Sequence, residues 1–236
     1  MDEKKLDFRR RFGRVFDRMN ADTETAPHAQ NQTFAPATNT DARFPERPNI
    51  YLLGFMGTGK TSVGKRLAQT LGYTFIDSDE EIEKKCSMEI KDIFAKYGED
   101  YFRKLEREFI DGGHPASNCV ISCGGGLVCR DGMPELVKSK GIAIVLFSRP
   151  DEILERIGKN DKRPLLNVEN PLEKIRELLD ARMPYYRRSG VMIATDKDLH
   201  KTVDHILRIY KRNTAESRQR RPKKSATAFQ PPRAKK

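Results

Sequence analysis

Eight residues in the first third of the chain, Gly54-Phe55-Met56-Gly57-Thr58-Gly59-Lys60-Thr61, carry the spacing G-x-x-x-x-G-K-T. Glycines at these positions let backbone N–H groups turn inward and approach phosphate oxygens that side chains would otherwise block. A lysine placed as Lys60 is reaches the β- and γ-phosphates of a nucleotide, and a hydroxyl placed as Thr61 is ligates magnesium. Upstream, Ile50-Tyr51-Leu52-Leu53 is a short apolar run suited to a strand buried in a parallel sheet. Downstream, Val63, Leu67, Ala68 and Leu71 recur at helical spacing before Gly72, a helix stop. A loop that feeds a helix N-terminus is a favourable place for an anion. Nucleotide binding is the expectation, against the blander reading of an ordinary glycine-rich turn.

Five further groups invite a chemical reading, and the first two lie where such a fold gathers ligands, at the carboxyl ends of its strands. Asp77-Ser78-Asp79 closes the second apparent strand: one carboxylate there can hold magnesium through its water shell, and the other can accept a hydrogen bond from a nucleophilic hydroxyl. The alternative for Asp79 is an N-cap for a helix beginning near Glu80. Gly124-Gly125-Gly126 follows the third strand and offers bare backbone, as a ligand loop or as a tight turn. Arg103 and Glu106 lie at the edge of a helical face made by Phe102, Leu105, Phe109 and Ile110, where an exposed i,i+3 ion pair is the simpler role. Arg182 continues the stripe of Leu172, Ile175 and Leu179 on a helix opened by Asn170-Pro171-Leu172-Glu173, which reads as N-cap, N1 proline and capping-box Glu. A guanidinium facing inward is costly unless an anion meets it. Finally, the polar segment from Gly158 to Asn170 has the character of a lid that could bring Arg163 over a transferring phosphoryl group.

These groups need a scaffold, and the patterning supplies one. Strand-like runs at 49–53, 73–77, 119–123, 142–147 and 191–194 alternate with helical patterns near 60–71, 99–111, 133–140, 150–157, 171–187 and 198–211. Such alternation implies an α/β fold, a parallel sheet with helices on both faces. The segment from Ala21 to Pro48 is rich in Ala, Thr, Asn, Gln and Pro and reads as a linker or disordered arm. Ahead of it, Phe8, Phe12, Val15, Phe16 and Met19 share a helical face beside five arginines, a basic amphipathic pattern.

Charge separates the core from its ends. Of the net +11 over 236 residues, +9 resides in 211–236, while 1–46 is balanced, leaving 27 basic and 25 acidic residues in 47–210. The domain is expected over 47–211, with a front arm at 1–46 and a disordered basic tail at 212–236 that could attract nucleic acid or acidic lipid but reads more simply as solvated chain. Cys86, Cys119, Cys123 and Cys129 lack C-x-x-C spacing and the four histidines are scattered, so buried thiols in a reducing cytosol fit better than a zinc site. No run reaches the length of a transmembrane helix, and no signal or transit peptide is recognisable at the front. Cytoplasmic residence and a monomer are the expectations.

Taken in order, GFMGTGKTSVGKRLA at 54–68, FIDSDEEIE at 75–83, Phe102-Arg103-x-x-Glu106, CGGG at 123–126, RPLL at 163–166 and Arg182-Met183-Pro184-Tyr185-Tyr186 resemble the shikimate kinase family over about residues 49–210. The resemblance implies a P-loop NTPase-type three-layer sandwich with a five-stranded parallel sheet, nucleoside-monophosphate-kinase-like, with a mobile lid over about 158–170. It implies ATP-dependent phosphorylation of the 3-hydroxyl of shikimate in aromatic amino-acid biosynthesis. It also implies roles: Gly57, Thr58, Gly59, Lys60, Thr61 and Ser62 hold the nucleotide, Thr61 binds Mg2+ directly and Asp77 binds it through water. Asp79 engages the reacting hydroxyl, Arg103 and Arg182 clamp the shikimate carboxylate, Glu106 orients the site, and the Gly125 and Gly126 backbone contacts the substrate. Arg163 acts from the lid and Arg156 stacks on adenine. Two rivals remain at this level: a related kinase acting on gluconate or a nucleoside monophosphate, and a non-catalytic nucleotide-binding protein that docks on nucleic acid through its tail.

Overall fold

The computed structural model describes residues 47–158 and 168–219. The front arm with its basic amphipathic pattern, the end of the basic tail and most of the lid segment, Arg163 included, lie outside the described residues.

The sheet is built around β1 (Asn49–Leu53), every residue of which is buried. It is flanked by β3 (Cys119–Ser122) and β4 (Gly141–Phe147), with β2 (Thr74–Asp77) and β5 (Val191–Ala194) at the edges, in the order β2-β3-β1-β4-β5. All the pairings are parallel, with Leu52 opposite Ser122 on one side and Ile144 on the other. Continuous apolar strands are what a sheet covered on both faces requires. Alternation along β1 sorts the core into two halves. Ile50 and Leu52 pack with Val63, Leu67, Ile144 and Ile206 on one face, and Tyr51 and Leu53 pack with Ile110, Ile121, Val145 and Leu179 on the other.

The helices are α1 (Lys60–Leu71), α2 (Ser78–Cys86), α3 (Ile90–Gly112), α4 (Met133–Lys140), α5 (Pro150–Ile157), α6 (Pro171–Ser189) and α7 (Leu199–Gln219). α1 and α7 cover the first face, and α3, α4 and α6 contribute to the second. A satellite core of Ile82, Ile93, Phe102 and Leu105 joins α2 to α3, which fixes the helix that carries Arg103.

Three elements differ from the sequence reading. Helix α2 starts at Ser78 instead of near Glu80, and its only buried residues are Ser78 and Ile82, a stripe too thin to show as periodicity. Helix α3 is two helical segments meeting at Gly98 (φ 80°, ψ 175°): the segment after Gly98 is the helix expected over 99–111, and the segment that opens at Ile90 is the one the sequence reading lacked. Gly takes this conformation without the steric cost that other residues meet. Helix α7 runs through Gln219, into the stretch expected to be tail. Residues 211–219 hold no Gly or Pro that would stop a helix.

Candidate active site

Three of the loop glycines take positive φ: Gly54 (124°), Gly57 (75°) and Gly59 (88°). Gly54 sits so close to the neighbouring strand that a Cβ there would lie 2.1 Å from the Leu146 carbonyl oxygen. Gly59 is the N-cap of α1 and supplies no side-chain cap, and the first turn holds no acidic residue. The opening amides of α1 are therefore left for an anion. Thr58 is fully buried, its hydroxyl donating to the Phe55 carbonyl at 2.7 Å and so cross-bracing the loop. Lys60 Nζ donates to the Gly54 and Phe55 carbonyls at 2.9 Å each. Thr61 and Ser62, the next two residues of α1, are exposed.

Arg156, on α5, borders the same loop. Its Nη1 donates to Ser148 Oγ at 2.8 Å, to Thr195 Oγ1 at 3.1 Å and to the Gly57 carbonyl at 3.4 Å. The Ser148 and Thr195 hydroxyls share a short hydrogen bond of their own. The guanidinium is thus tied to the ends of β4 and β5 and to the phosphate loop while its residue remains exposed.

At the end of β2 the capping role offered as the alternative for Asp79 falls to the other aspartate of the pair. The N-cap of α2 is Asp77, whose carboxylate accepts the Asp79 N–H at 3.1 Å. Asp79 is the second residue of the helix, so its carboxyl is spared for other work. Burial, reinforced by the Asp77 charge and opposed by Lys60, pushes the Asp79 carboxyl up to about 6. Ser78, buried between them, donates to Asp79 Oδ1 at 3.3 Å and accepts the Gly124 N–H at 3.0 Å. That serine, which the sequence reading passed over, staples β2 to the triple-glycine turn; its place between two aspartates at a strand end was the available signal.

The turn itself is where the remaining groups meet. A Cβ added at Gly124 would stand 2.7 Å from Asp79 Oδ1 and 3.1 Å from Glu106 Oε1. One at Gly125 would stand 3.7 Å from Arg182 Nη1, and one at Gly126 would stand 2.9 Å from both terminal nitrogens of Arg103. The absence of side chains thus lets an acid pair and two guanidinium groups from three separate helices close on one stretch of backbone. Arg103 Nη1 donates to Glu106 at 2.8 Å, while Nε and Nη2 donate to Glu99 at 3.1 and 2.9 Å. The exposed ion pair anticipated for these residues is instead half interior, since Glu106 is only 1% exposed. Burial pushes Glu106 up to about 7 against the pull of Arg103, and nearby Asp79 adds to the rise. Burial opposes the Arg103 charge, but Glu106 and Glu99 outweigh it and hold the guanidinium above its ordinary value. Glu99 was also missed, because the helix was expected to begin there.

Arg182 is partly buried on α6, as its place in the apolar stripe predicts. Its Nη1 donates to the Gly125 carbonyl at 3.4 Å, and its guanidinium carbon lies 5.3 Å from the centre of the Phe55 ring. The arginine therefore bridges the turn and the phosphate loop. Asn170 caps α6 by accepting the Glu173 N–H at 3.3 Å, with Pro171 in the first turn. Cys119, at the start of β3, and Cys123, just before the turn, are buried free thiols, and burial pushes the Cys123 thiol well up.

Thr61 and Asp77 offer a hydroxyl and a carboxylate, hard oxygen donors that suit magnesium. Among the described residues no group of three or more His, Cys, Asp or Glu could hold a metal ion. Two protein donors are in keeping with a cation that retains much of its water and leans on substrate phosphates.

The sequence model of the shikimate kinase family matches residues 56–211. The shikimate kinase of Thermoanaerobacter pseudethanolicus is 44% identical over 163 residues, spanning 69% of this chain and 95% of that protein. That of Thermodesulfovibrio yellowstonii is 49% identical over 148 residues, spanning 63% and 86%. Among solved structures, shikimate kinase from Acinetobacter baumannii in complex with shikimate superposes with a TM-score of 0.66 at 39% identity, covering 71% of this chain and 94% of that one.

Proposed function

This chain belongs to the shikimate kinase family, and on that premise we propose that its phosphate loop, aspartate pair and triple-glycine turn form one site for phosphoryl transfer from ATP to shikimate. The product pair is shikimate 3-phosphate and ADP, a step of aromatic amino-acid biosynthesis. The observation that carries the assignment of residues is the convergence of Asp79, Glu106, Arg103 and Arg182 on Gly124–Gly126, beside the phosphate loop.

Phosphoryl transfer asks a protein mainly for positioning and for charge aimed at the transferring group. ATP phosphates rest on Gly57, Thr58 and Gly59, on the opening amides of α1 through Ser62, and on Lys60; Arg156 flanks the nucleotide end. Thr61 would bind Mg2+ directly and Asp77 through water, and the ion when bound neutralises charge on the phosphates. Shikimate lies across the triple-glycine turn, its carboxylate between Arg103 and Arg182 and its ring against the Gly125 and Gly126 backbone. Glu106 holds Arg103 in place through their 2.8 Å bond. Asp79 accepts the hydrogen bond of the 3-hydroxyl, and a carboxyl titrating at about 6 is largely ionised at neutral pH yet basic enough to take up the proton. Arg163, from the lid, would neutralise charge developing on the phosphoryl group.

The domain would span 47–211, with 1–46 and the basic tail contributing nothing to chemistry, since every residue assigned a role lies between Gly57 and Arg182. A monomer suffices, because all assigned residues come from one chain. No helix among the described residues is long and apolar enough to cross a membrane; use of ATP supports a cytoplasmic location.

Offered shikimate, gluconate and nucleoside monophosphates in turn, the enzyme should release ADP with shikimate alone, and only when magnesium is present. Turnover with another acceptor and none with shikimate would overturn the reading. Arg103→Ala and Arg182→Ala should each raise KM for shikimate while leaving KM for ATP near its original value. Each leaves the ligand's charge half unpaired, a loss of roughly 2–4 kcal/mol. Wild-type kcat/KM for shikimate in both variants would refute the clamp.

A further inference from the structure

The three carbonyls of the triple-glycine turn are held in two different ways. Gly124 O accepts the Leu127 N–H at 3.1 Å and Gly126 O accepts the Cys129 N–H at 2.9 Å, both within the turn's own backbone. Gly125 O, between them, is held from another element: it accepts the Tyr186 hydroxyl at 2.6 Å and Arg182 Nη1 at 3.4 Å, with Cys129 Sγ 3.9 Å away. Tyr186 ends the buried stripe Ile175, Leu179, Met183 of α6 and is itself 1% exposed. Its hydroxyl is therefore delivered to the turn by a fully packed ring, and a buried phenol needs a partner. Burial holds that phenol well above its ordinary value, so it stays a donor across the working pH range.

The bond constrains more than one atom. A trans peptide is planar, with its C=O and N–H pointing in opposite directions. Fixing Gly125 O therefore fixes the direction of the Gly126 N–H, which points the opposite way within the same plane, away from Tyr186. Both flanking residues are glycine, whose torsions no side chain restricts, so this plane is the least self-determined part of the turn.

Resting on the reading of this turn as the seat of shikimate, we propose that Tyr186 is a positioning residue for substrate binding, its hydroxyl setting the Gly125–Gly126 peptide so that the Gly126 N–H is presented to shikimate. The role is distinct from that of Arg182, which brings charge; Tyr186 brings only orientation and touches no substrate.

Tyr186→Phe keeps the ring and its packing and removes the shortest of the hydrogen bonds to Gly125 O, leaving the longer one from Arg182. KM for shikimate should rise about five- to tenfold, with kcat and KM for ATP each within about twofold of wild type. A purely structural role would instead lower Tm and shift both KM values together, and either that pattern or an unchanged shikimate KM would overturn the proposal. The Gly126 amide resonance, followed in full-length 15N-labelled protein, separates the two layers of argument. It should shift on saturation with shikimate in the wild type and shift less in the variant. No response in the wild type would remove the turn as shikimate's seat, and Tyr186's role with it. A wild-type response with no change in KM on Tyr186→Phe would remove the role of Tyr186 alone.

Discussion

Lys60→Ala is expected to abolish shikimate-dependent ADP release while the protein remains folded. Lys60 Nζ is held 2.9 Å from two carbonyls of the phosphate loop, and its charge is felt at Asp79, so one ammonium group serves both the phosphate cradle and the acceptor end of the site. Phosphoryl transfer spreads negative charge over the transferring oxygens, and a preorganised cation facing them stabilises the transition state more than the ground state. Removing such a group costs on the order of 10²–10³ in kcat or more, roughly 3–4 kcal/mol. The fold does not need it: Lys60 is only partly buried at the first turn of α1 and belongs to neither half of the core. Single-turnover assays with thermal unfolding in parallel check both halves of the expectation. Near-normal kcat would mean that this loop is not the one that holds the reacting nucleotide.

Asp79→Asn should lower kcat by about 10²–10⁴ and leave both KM values within a few fold, since the amide keeps the shape but cannot take up a proton. The pH profile gives a sharper signature. In the wild type kcat/KM for shikimate should climb with pH through an acid limb near 6, where the Asp79 carboxyl ionises, and the variant should lack that limb. Stability should move the other way. The native carboxyl titrates at about 6 against 3.8 for the unfolded chain, so between these values the native state binds more protons and stability falls as pH rises. Above pH 6 the full penalty of ionising a buried acid beside Asp77 is present. Asn removes it, and the variant should be about 1–3 kcal/mol more stable than wild type at pH 8, with the difference closing by pH 4. A variant no more stable at pH 8, or with an effect confined to ATP affinity, would contradict this role.

What was legible in the chain and what was not follows from the range of the interactions. β1, β3 and β4 read as apolar runs because strands covered on both faces write their burial locally, residue by residue, and Arg182 read as inward for the same reason on α6. The phosphate loop was legible because its chemistry is confined to eight consecutive residues. By contrast, Asp77 rather than Asp79 caps α2, a choice between neighbours that is settled by a helix start two residues earlier than expected. The first segment of α3 was not read, because Gly98, with its φ of 80°, separates it from the segment over 99–111 that the periodicity did mark. Ser78, Glu99 and Tyr186 were missed as site residues because each acts on a partner placed by the tertiary fold: Gly124, Arg103 held by two acids, and the Gly125 carbonyl. Only the resemblance to a family, not periodicity, brought Arg103, Glu106 and the glycine turn together before the fold was known.

The seam between β1 and β4 gives the phosphate-loop glycines unequal standing under mutation. At Gly59 a Cβ would meet nothing nearer than Val63 Cγ2 at 3.9 Å, so only the backbone strain of its positive φ resists a side chain, whereas at Gly54 the same strain is joined by entry into the Leu146 carbonyl at 2.1 Å, backbone that has no rotamer with which to yield. Lesions in one short motif therefore divide between two phenotypes that a growth screen would score alike: at Gly59, an abundant but inert enzyme; at Gly54, a chain cleared by proteolysis before its catalytic competence is ever at issue.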